Sequence, residues 1–158
     1  MVQEEAASLC RVVDRLPQLE LSNQLCFALY RASRAVVRAY GPVLAELGLT
    51  YPQYLTMLVL WETRAPLTVG EIGARLHLDS GTLTPLLKRL EDLGFASRTR
   101  DPADERRVLI ALTERGAALR ERAADVPERV FAGYGIDIPT ARRLIQELTS
   151  IADSLETG

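Results

Sequence analysis

The chain has 158 residues, 47% apolar and 25% charged, a balance that suits one globular domain with a core and leaves too little chain for two ordinary ones. No apolar run is long enough to span a bilayer, and the acidic opening Met1-Val2-Gln3-Glu4-Glu5 lacks the basic end and apolar stretch of a secretory signal, so a soluble, cytoplasmic protein with no membrane partner is expected. The net charge of -2 gives the whole chain no pull toward nucleic acid, and its two cysteines, Cys10 and Cys26, lack CxxC spacing, which argues against a disulfide framework or a structural zinc site; no cofactor is expected.

Residues 1–19 read as an N-terminal extension. Ser22 and Asn23 are good N-cap types, and Leu25, Leu29, Ala32, Val36 and Ala39 or Tyr40 then form an apolar stripe along a predicted helix of about 18 residues. Cys26 falls in its first turn, where unpaired amide donors and the positive dipole end favour a thiolate. Its neighbours Leu25 and Phe27 equally suit a small buried hydrophobe, and the residues alone leave both readings open. Gly41-Pro42 should interrupt or bend the helix, ahead of a short apolar turn through Val43, Leu44 and Leu47 that Gly48 stops. Thr50 and an early Pro52 open a segment over 50–61 that is apolar nearly all round, as a buried central helix would be.

After the Arg64-Ala65-Pro66 break, Thr68 and Glu71 stand at capping-box spacing at the head of a short helix ending at Leu76. A tight link, His77-Leu78, leads to a second helix over 79–93, capped by Asp79 and ended by Gly94. Two short helices and a tight turn make a helix-turn-helix. Leu83, Leu86 or Leu87, Leu90 and Leu93 line one face of the second helix, while Ser80, Thr82, Thr84, Lys88 and Arg89 decorate the other. Small polar and basic side chains are what base edges and phosphates need from a helix in the major groove. Runs over 95–100 and 106–112, joined by a polar tip containing Pro102, read as a β-hairpin. A hairpin in that place is a wing, and Arg98, Arg100, Arg106 and Arg107 could reach the minor groove or backbone, with one or two of them pairing with Asp101 or Asp104. From Arg64 to Arg107 eight basic residues face seven acidic ones, so any basic surface must arise from geometry. Thr113 opens a long helix toward Val126, where Pro127 could bend it, and 139–155 forms a last amphipathic helix.

The expected fold is mainly α with a small β-hairpin wing. Residues 49–112 form the winged helix-turn-helix, and 20–48 with 113–158 form a helical dimerisation region. The terminal helices carry more apolar face than so small a domain can cover, which predicts a homodimer whose reading heads stand one turn of double-stranded DNA apart, on a pseudo-palindromic operator. Each prominent residue also has a plainer reading. Tyr51 and Tyr54 could simply edge the core. His77 has no partner at metal-ligand spacing and reads as a turn or DNA-proximal residue.

Three blocks carry a resemblance: Asn23-Gln24-Leu25-Cys26-Phe27, Leu49-Thr50-Tyr51-Pro52-Gln53-Tyr54, and Leu78-Asp79-Ser80-Gly81-Thr82-Leu83-Thr84-Pro85-Leu86-Leu87-Lys88-Arg89-Leu90. With the wing segment Asp101-Pro102-Ala103-Asp104-Glu105-Arg106-Arg107, they resemble the MarR-type winged helix-turn-helix regulators, and within them the organic hydroperoxide resistance regulators. The resemblance implies a non-enzymatic dimeric repressor that binds operator DNA when Cys26 is reduced and leaves it when an organic hydroperoxide oxidises Cys26 to a sulfenic acid. It marks Tyr40 and Tyr51 as thiolate partners, with Tyr30, one turn beyond Cys26, as a third candidate. Some members carry a second, C-terminal cysteine that resolves the sulfenic acid. This chain has none after Cys26, so Cys10 and a small cellular thiol are the alternative resolving groups. Two rival functions remain at this point: a MarR-type regulator gated by a phenolic or carboxylate ligand with Cys26 inert, and a thiol peroxidase.

Overall fold

The computed structural model describes residues 16–63 and 65–156; Cys10 and Arg64 lie outside them. Chain contacts divide the molecule into Met1–Ala39 and Tyr40–Gly158, with the boundary inside the first α-helix.

In the first unit two 3-10 turns, Pro17–Leu19 and Leu21–Asn23, precede helix α1, Leu25–Ala45. The Asn23 side chain does not cap α1 as its type suggested. Its Nδ2 donates back to the Pro17 carbonyl at 2.9 Å, and the helix starts later, with the Gln24 carbonyl accepting from Ala28 N. Local bonds to the preceding turn outcompete the cap. Cys26 nevertheless stands in the first turn. Gly41-Pro42 does not break α1 either: both residues are exposed, so water replaces the donor that Pro42 lacks.

The second unit is built on α2, Tyr51–Glu62, entered through the Thr50 amide, which donates to Gln53 Oε1 at 2.8 Å. Tyr54, Met57, Leu60 and Trp61 are buried on it, as the all-round apolar pattern predicts. Strand β1, Leu67–Thr68, runs into α3, Val69–Leu76. The Thr68–Glu71 capping box forms as read, with Thr68 Oγ1 accepting from Glu71 N at 3.2 Å and Glu71 Oε2 accepting from Thr68 N at 2.7 Å. His77 turns the chain in the left-handed region, φ 52°, while the Leu78 amide donates to the Gly73 carbonyl. A Cβ on Gly73 would lie 2.7 Å from the Leu78 carbonyl oxygen, so this tight turn requires glycine. Helix α4, Ser80–Asp92, follows and buries Leu83, Leu87 and Leu90 against the α2 core.

Strands β2, Ala96–Asp101, and β3, Asp104–Leu112, form the hairpin, with a bulge between Arg100 and Asp101. The sheet has a third strand that the sequence did not announce: β1 pairs antiparallel to β3, Leu67 opposite Ile110, giving the order β1-β3-β2. Two residues are too few for an alternation signal, and pairing alone defines them. The long helix expected after Thr113 is two helices, α5, Glu114–Arg122, and α6, Val126–Phe131. Pro127 falls in the first turn of α6, where its missing amide costs nothing, and the chain breaks before it rather than bending around it. Helix α7, Ile138–Glu156, is the last element among the described residues.

Two long-range ties hold these elements. Trp61 Nε1 donates to the Gly116 carbonyl at 2.9 Å, and Gly116 is pressed against the Phe95 carbonyl, leaving no room for a Cβ. Beyond α1, Glu46 accepts a forked bond from Arg129 at 2.7 and 3.0 Å, and the Glu46 backbone carbonyl accepts from Arg122 at 3.0 Å. Gly116→Ala should therefore destabilise the fold by roughly 2–4 kcal/mol, because backbone rather than a side chain must move. Thermal melting checks this: Gly70→Ala, with open space around it, should leave the midpoint unchanged or slightly raised.

Candidate nucleic-acid interface and thiol site

Helix α4 has one face committed to the core, so its register dictates what the other face shows. Leu83, Leu87 and Leu90 are essentially inaccessible, and Ser80, Thr82, Thr84, Lys88 and Arg89 are all exposed. Its start is fixed by Asp79, whose Oδ1 accepts from Thr82 N at 2.8 Å and whose Oδ2 accepts from Thr82 Oγ1 at 2.9 Å. These bonds hold the Asp79 carboxyl below its ordinary value, the Thr82 amide being the largest cause. Thr84 Oγ1 donates to the Ser80 carbonyl at 2.6 Å. Both threonine hydrogens are thus engaged along the helix, which leaves these hydroxyl oxygens their acceptor capacity.

The wing arginines divide by role. Arg107 Nε lies 3.8 Å from Asp101 and Arg106 Nε 3.6 Å from Asp104, where one or two of the wing arginines are expected to pair with one of these acids. Arg100 Nη1 donates to the Glu105 carbonyl at 2.7 Å across the bulge, and Arg98 stands half-buried opposite Ile110. The Arg106 side chain is 95% exposed, so its ion pair is a weak surface contact that a phosphate can displace. His77, at the turn between α3 and α4, has its Nδ1 3.1 Å from Glu156 Oε1.

The thiol candidates fall in both units. In the first, Cys26 is an exposed free thiol whose Sγ is 4.0 Å from Gln24 Oε1, and Tyr30 accepts from Arg34 Nη1 at 2.9 Å. In the second, the Tyr40 and Tyr51 rings lie 4.8 Å apart, with Tyr54 5.7 Å from Tyr40 and Trp61 beyond it at 6.3 Å from Tyr54. Burial, followed by the neighbouring Tyr134, pushes the Tyr40 phenol well above its ordinary range, and burial raises Tyr51 and Tyr54 as well. Each phenol keeps its proton at neutral pH and can donate it. Tyr134, packed edge-on to Phe131 at 5.6 Å, is a member of this cluster that the sequence did not single out. It lies far along the chain in a Gly-flanked link, with no periodicity to mark it.

A two-helix reader with a three-stranded wing defines a winged helix-turn-helix protein, and comparison with known proteins agrees. The family described as "Transcriptional regulator SarA/Rot" matches residues 38–122. The organic hydroperoxide resistance transcriptional regulator of Bacillus subtilis is 46% identical over 144 residues, covering 91% of this chain and 95% of that protein. The HTH-type transcriptional regulator TtmR of Methylorubrum extorquens is 51% identical over 135 residues, covering 85% and 69%. Among solved structures, reduced AbfR bound to DNA superposes with a TM-score of 0.73 at 38% identity, covering 88% of this chain and 96% of that one. Disulfide-formed AbfR gives 0.61 at 37%, covering 90% and 96%. AbfR is from Staphylococcus epidermidis. The chain belongs to the MarR-type transcriptional regulators, in the organic hydroperoxide resistance group. Its relatives are named as transcriptional regulators.

The Asp79 cap carries a pH signature. A carboxyl whose folded value is depressed contributes stability that is fully present above its unfolded value, near 3.8, and lost as pH falls through the lower folded value. Asp79→Ala should lower the melting midpoint at pH 7 by roughly 2–4 °C. That difference should shrink, without vanishing, as pH falls below 3.8, because the protonated carboxyl still accepts from the Thr82 amide, while Asp79→Asn, a good cap without the charge, should stay close to wild type at pH 7. Melting curves of the three proteins across that range check it.

Proposed function

We propose that this protein is a redox-sensing repressor in the cytoplasm that binds double-stranded operator DNA while Cys26 is reduced and releases it when an organic hydroperoxide oxidises Cys26. The observation that carries the reading is the exposed Cys26 thiol in the first turn of α1, in a chain whose α4 presents a polar and basic edge to solvent. Supporting the redox part of it, a relative is named for organic hydroperoxide resistance, and AbfR is known in a disulfide form and, bound to DNA, in both reduced and overoxidized forms.

Ser80, Thr82 and Thr84 read base edges and Lys88 and Arg89 hold phosphates, with Arg98, Arg100, Arg106 and Arg107 working from the wing. The second subunit is another copy of the chain. Ile138, Ile145, Leu148 and Leu155 on α7 are 43–78% exposed, as are Leu25 and Tyr30 on α1 at 62% and 57%, and a two-fold partner buries such surface. The operator is then a pseudo-palindrome. Tyr40 and Tyr51, phenols that stay protonated, donate to the Cys26 thiolate of the second subunit, because fourteen residues of α1, about 21 Å, separate Tyr40 from Cys26 within one chain; Tyr30 is nearby, one turn along the thiol's own helix. Oxidation converts the acceptor sulfur to S–OH, ends those bonds and changes the spacing of the reading heads. Cys10 or a small thiol then resolves the sulfenic acid.

The test is operator binding by wild type and Cys26→Ser, using a fragment selected for binding to the reduced protein, before and after one equivalent of organic hydroperoxide. Wild type should lose at least about tenfold in affinity on oxidation while the serine variant stays within about twofold. If both respond alike, the thiol reading fails and a ligand-gated regulator takes its place. Lys88→Ala should weaken binding to all sequences alike and reduce the salt slope of log Kd by about 1, measured by titration at several ionic strengths.

A further inference from the structure

A hydroxyl that reads DNA has one hydrogen to give and lone pairs to receive, and its neighbours decide which of these it offers. The three exposed hydroxyls at the start of α4 are not equivalent in this respect. Thr82 Oγ1 donates to Asp79 Oδ2 at 2.9 Å, while the other oxygen of that carboxylate accepts from Thr82 N at 2.8 Å. Asp79 is held below its ordinary value, so at neutral pH it has no proton to give and can only receive. A hydroxyl bond to an ionised carboxylate is about twice as strong as one between neutral groups, which keeps the Thr82 hydrogen turned inward against competition from a base. Thr84 Oγ1 donates to the Ser80 carbonyl at 2.6 Å. Pro85, inside the helix, has no amide hydrogen for the Gly81 carbonyl one turn back, so that oxygen also keeps its acceptor capacity. The Ser80 hydroxyl has no bond within the described residues and is uncommitted.

The two threonines therefore present acceptors and no hydroxyl donor, which is the complement of an exocyclic amine. In the major groove adenine and cytosine offer that amine, whereas guanine and thymine offer acceptors in its place. Resting on the reading of α4 as the helix that meets base edges, we propose that Asp79 sets the hydrogen-bond polarity of the reader: by holding the Thr82 hydrogen it makes Thr82, like Thr84, an acceptor that selects adenine or cytosine on the strand it faces. Asp79 acts through Thr82 and is a positioning residue. Discrimination comes from the wrong base, because guanine or thymine would set lone pair against lone pair and leave both unpaired. Thr84 owes its polarity to the backbone, which no substitution at 79 alters, and Ser80 tolerates either kind of edge. Asp79→Asn should reverse the choice at one position only. Its amide oxygen still accepts from Thr82 N, which puts an NH2 where Oδ2 was; that group donates to Thr82 Oγ1 and frees the Thr82 hydrogen for a base.

The experiment selects duplexes from a random pool with the full-length reduced protein and measures Kd on every single-base variant of the enriched sequence, for wild type, Thr82→Val, Thr84→Val and Asp79→Asn. Valine keeps the shape of threonine without its hydroxyl, so each valine variant marks the position its residue reads as the one whose preference flattens. At both positions wild type should favour adenine or cytosine by about five- to tenfold, and should lose that factor when the preferred base is replaced by its analogue lacking the amine, a test that needs no variant protein. In Asp79→Asn the order should invert at the Thr82 position and persist at the Thr84 position. The lost negative charge also tightens binding, by one factor common to all sequences. A common factor alone, with the order at the Thr82 position kept, would overturn the assignment, as would a wild-type preference there for guanine or thymine. If Thr84→Val flattens a position and Thr82→Val flattens none, the role of Asp79 falls and α4 remains the reader. If a sequence is enriched and neither variant changes any position, the reading of α4 falls with it.

Discussion

The bond from the Trp61 indole to the Gly116 carbonyl fixes the point at which three parts of the molecule meet. Trp61 ends the buried run of α2, Gly116 lies in the first turn of α5, and Phe95, whose carbonyl abuts Gly116, leads into β2. A buried indole N–H without a partner would cost more than the bond contributes, so the acceptor is obligatory once Trp61 is inside. The acceptor can approach only because residue 116 has no side chain. Wing, reader and scaffold therefore share one fixed origin, and the position of α4 relative to β2 and β3 follows from it. Thr113 reinforces the same corner by donating to the Gly94 carbonyl at 2.6 Å and accepting from Gly116 N at 3.0 Å.

Much of this was legible wherever the chemistry is local. The Thr68–Glu71 box, the Asp79 cap, the early Pro52 and the hairpin all depend on residues within a few positions of one another, so spacing alone revealed them. Local reasoning failed where the decisive partner lay elsewhere. Strand β1 exists because Leu67 and Thr68 meet Ile110 and Leu109. Pro42 is tolerated because its stretch of α1 faces water, and Asn23 gives up its capping role to reach Pro17. The tyrosine cluster shows the same limit at the candidate site. Tyr40 and Tyr51 were named through resemblance, while Tyr134 entered only when the chain had been folded.

Charge follows the same logic of place over total. A chain of net charge -2 cannot act as a polycation, yet α4 and the wing direct Lys88, Arg89 and Arg106 to solvent while Glu71 and Asp79 are consumed as caps. Acids used for capping are turned toward their own backbone amides, which lowers their influence on the outward face. A neutral reader can therefore present a basic edge.

The tie at Glu46 has an asymmetry with a consequence for how the chain can drift. Arg129 grips the Glu46 carboxylate, but Arg122 grips its backbone carbonyl, which every amino acid supplies. Replacing residue 46 removes the first fastening and leaves the second. Position 46 is a joint with a spare: descendants of this sequence can lose the acid there and keep the end of α1 tethered to α5, whereas after the loss of Arg122 the tie rests wholly on keeping both the acid at 46 and Arg129.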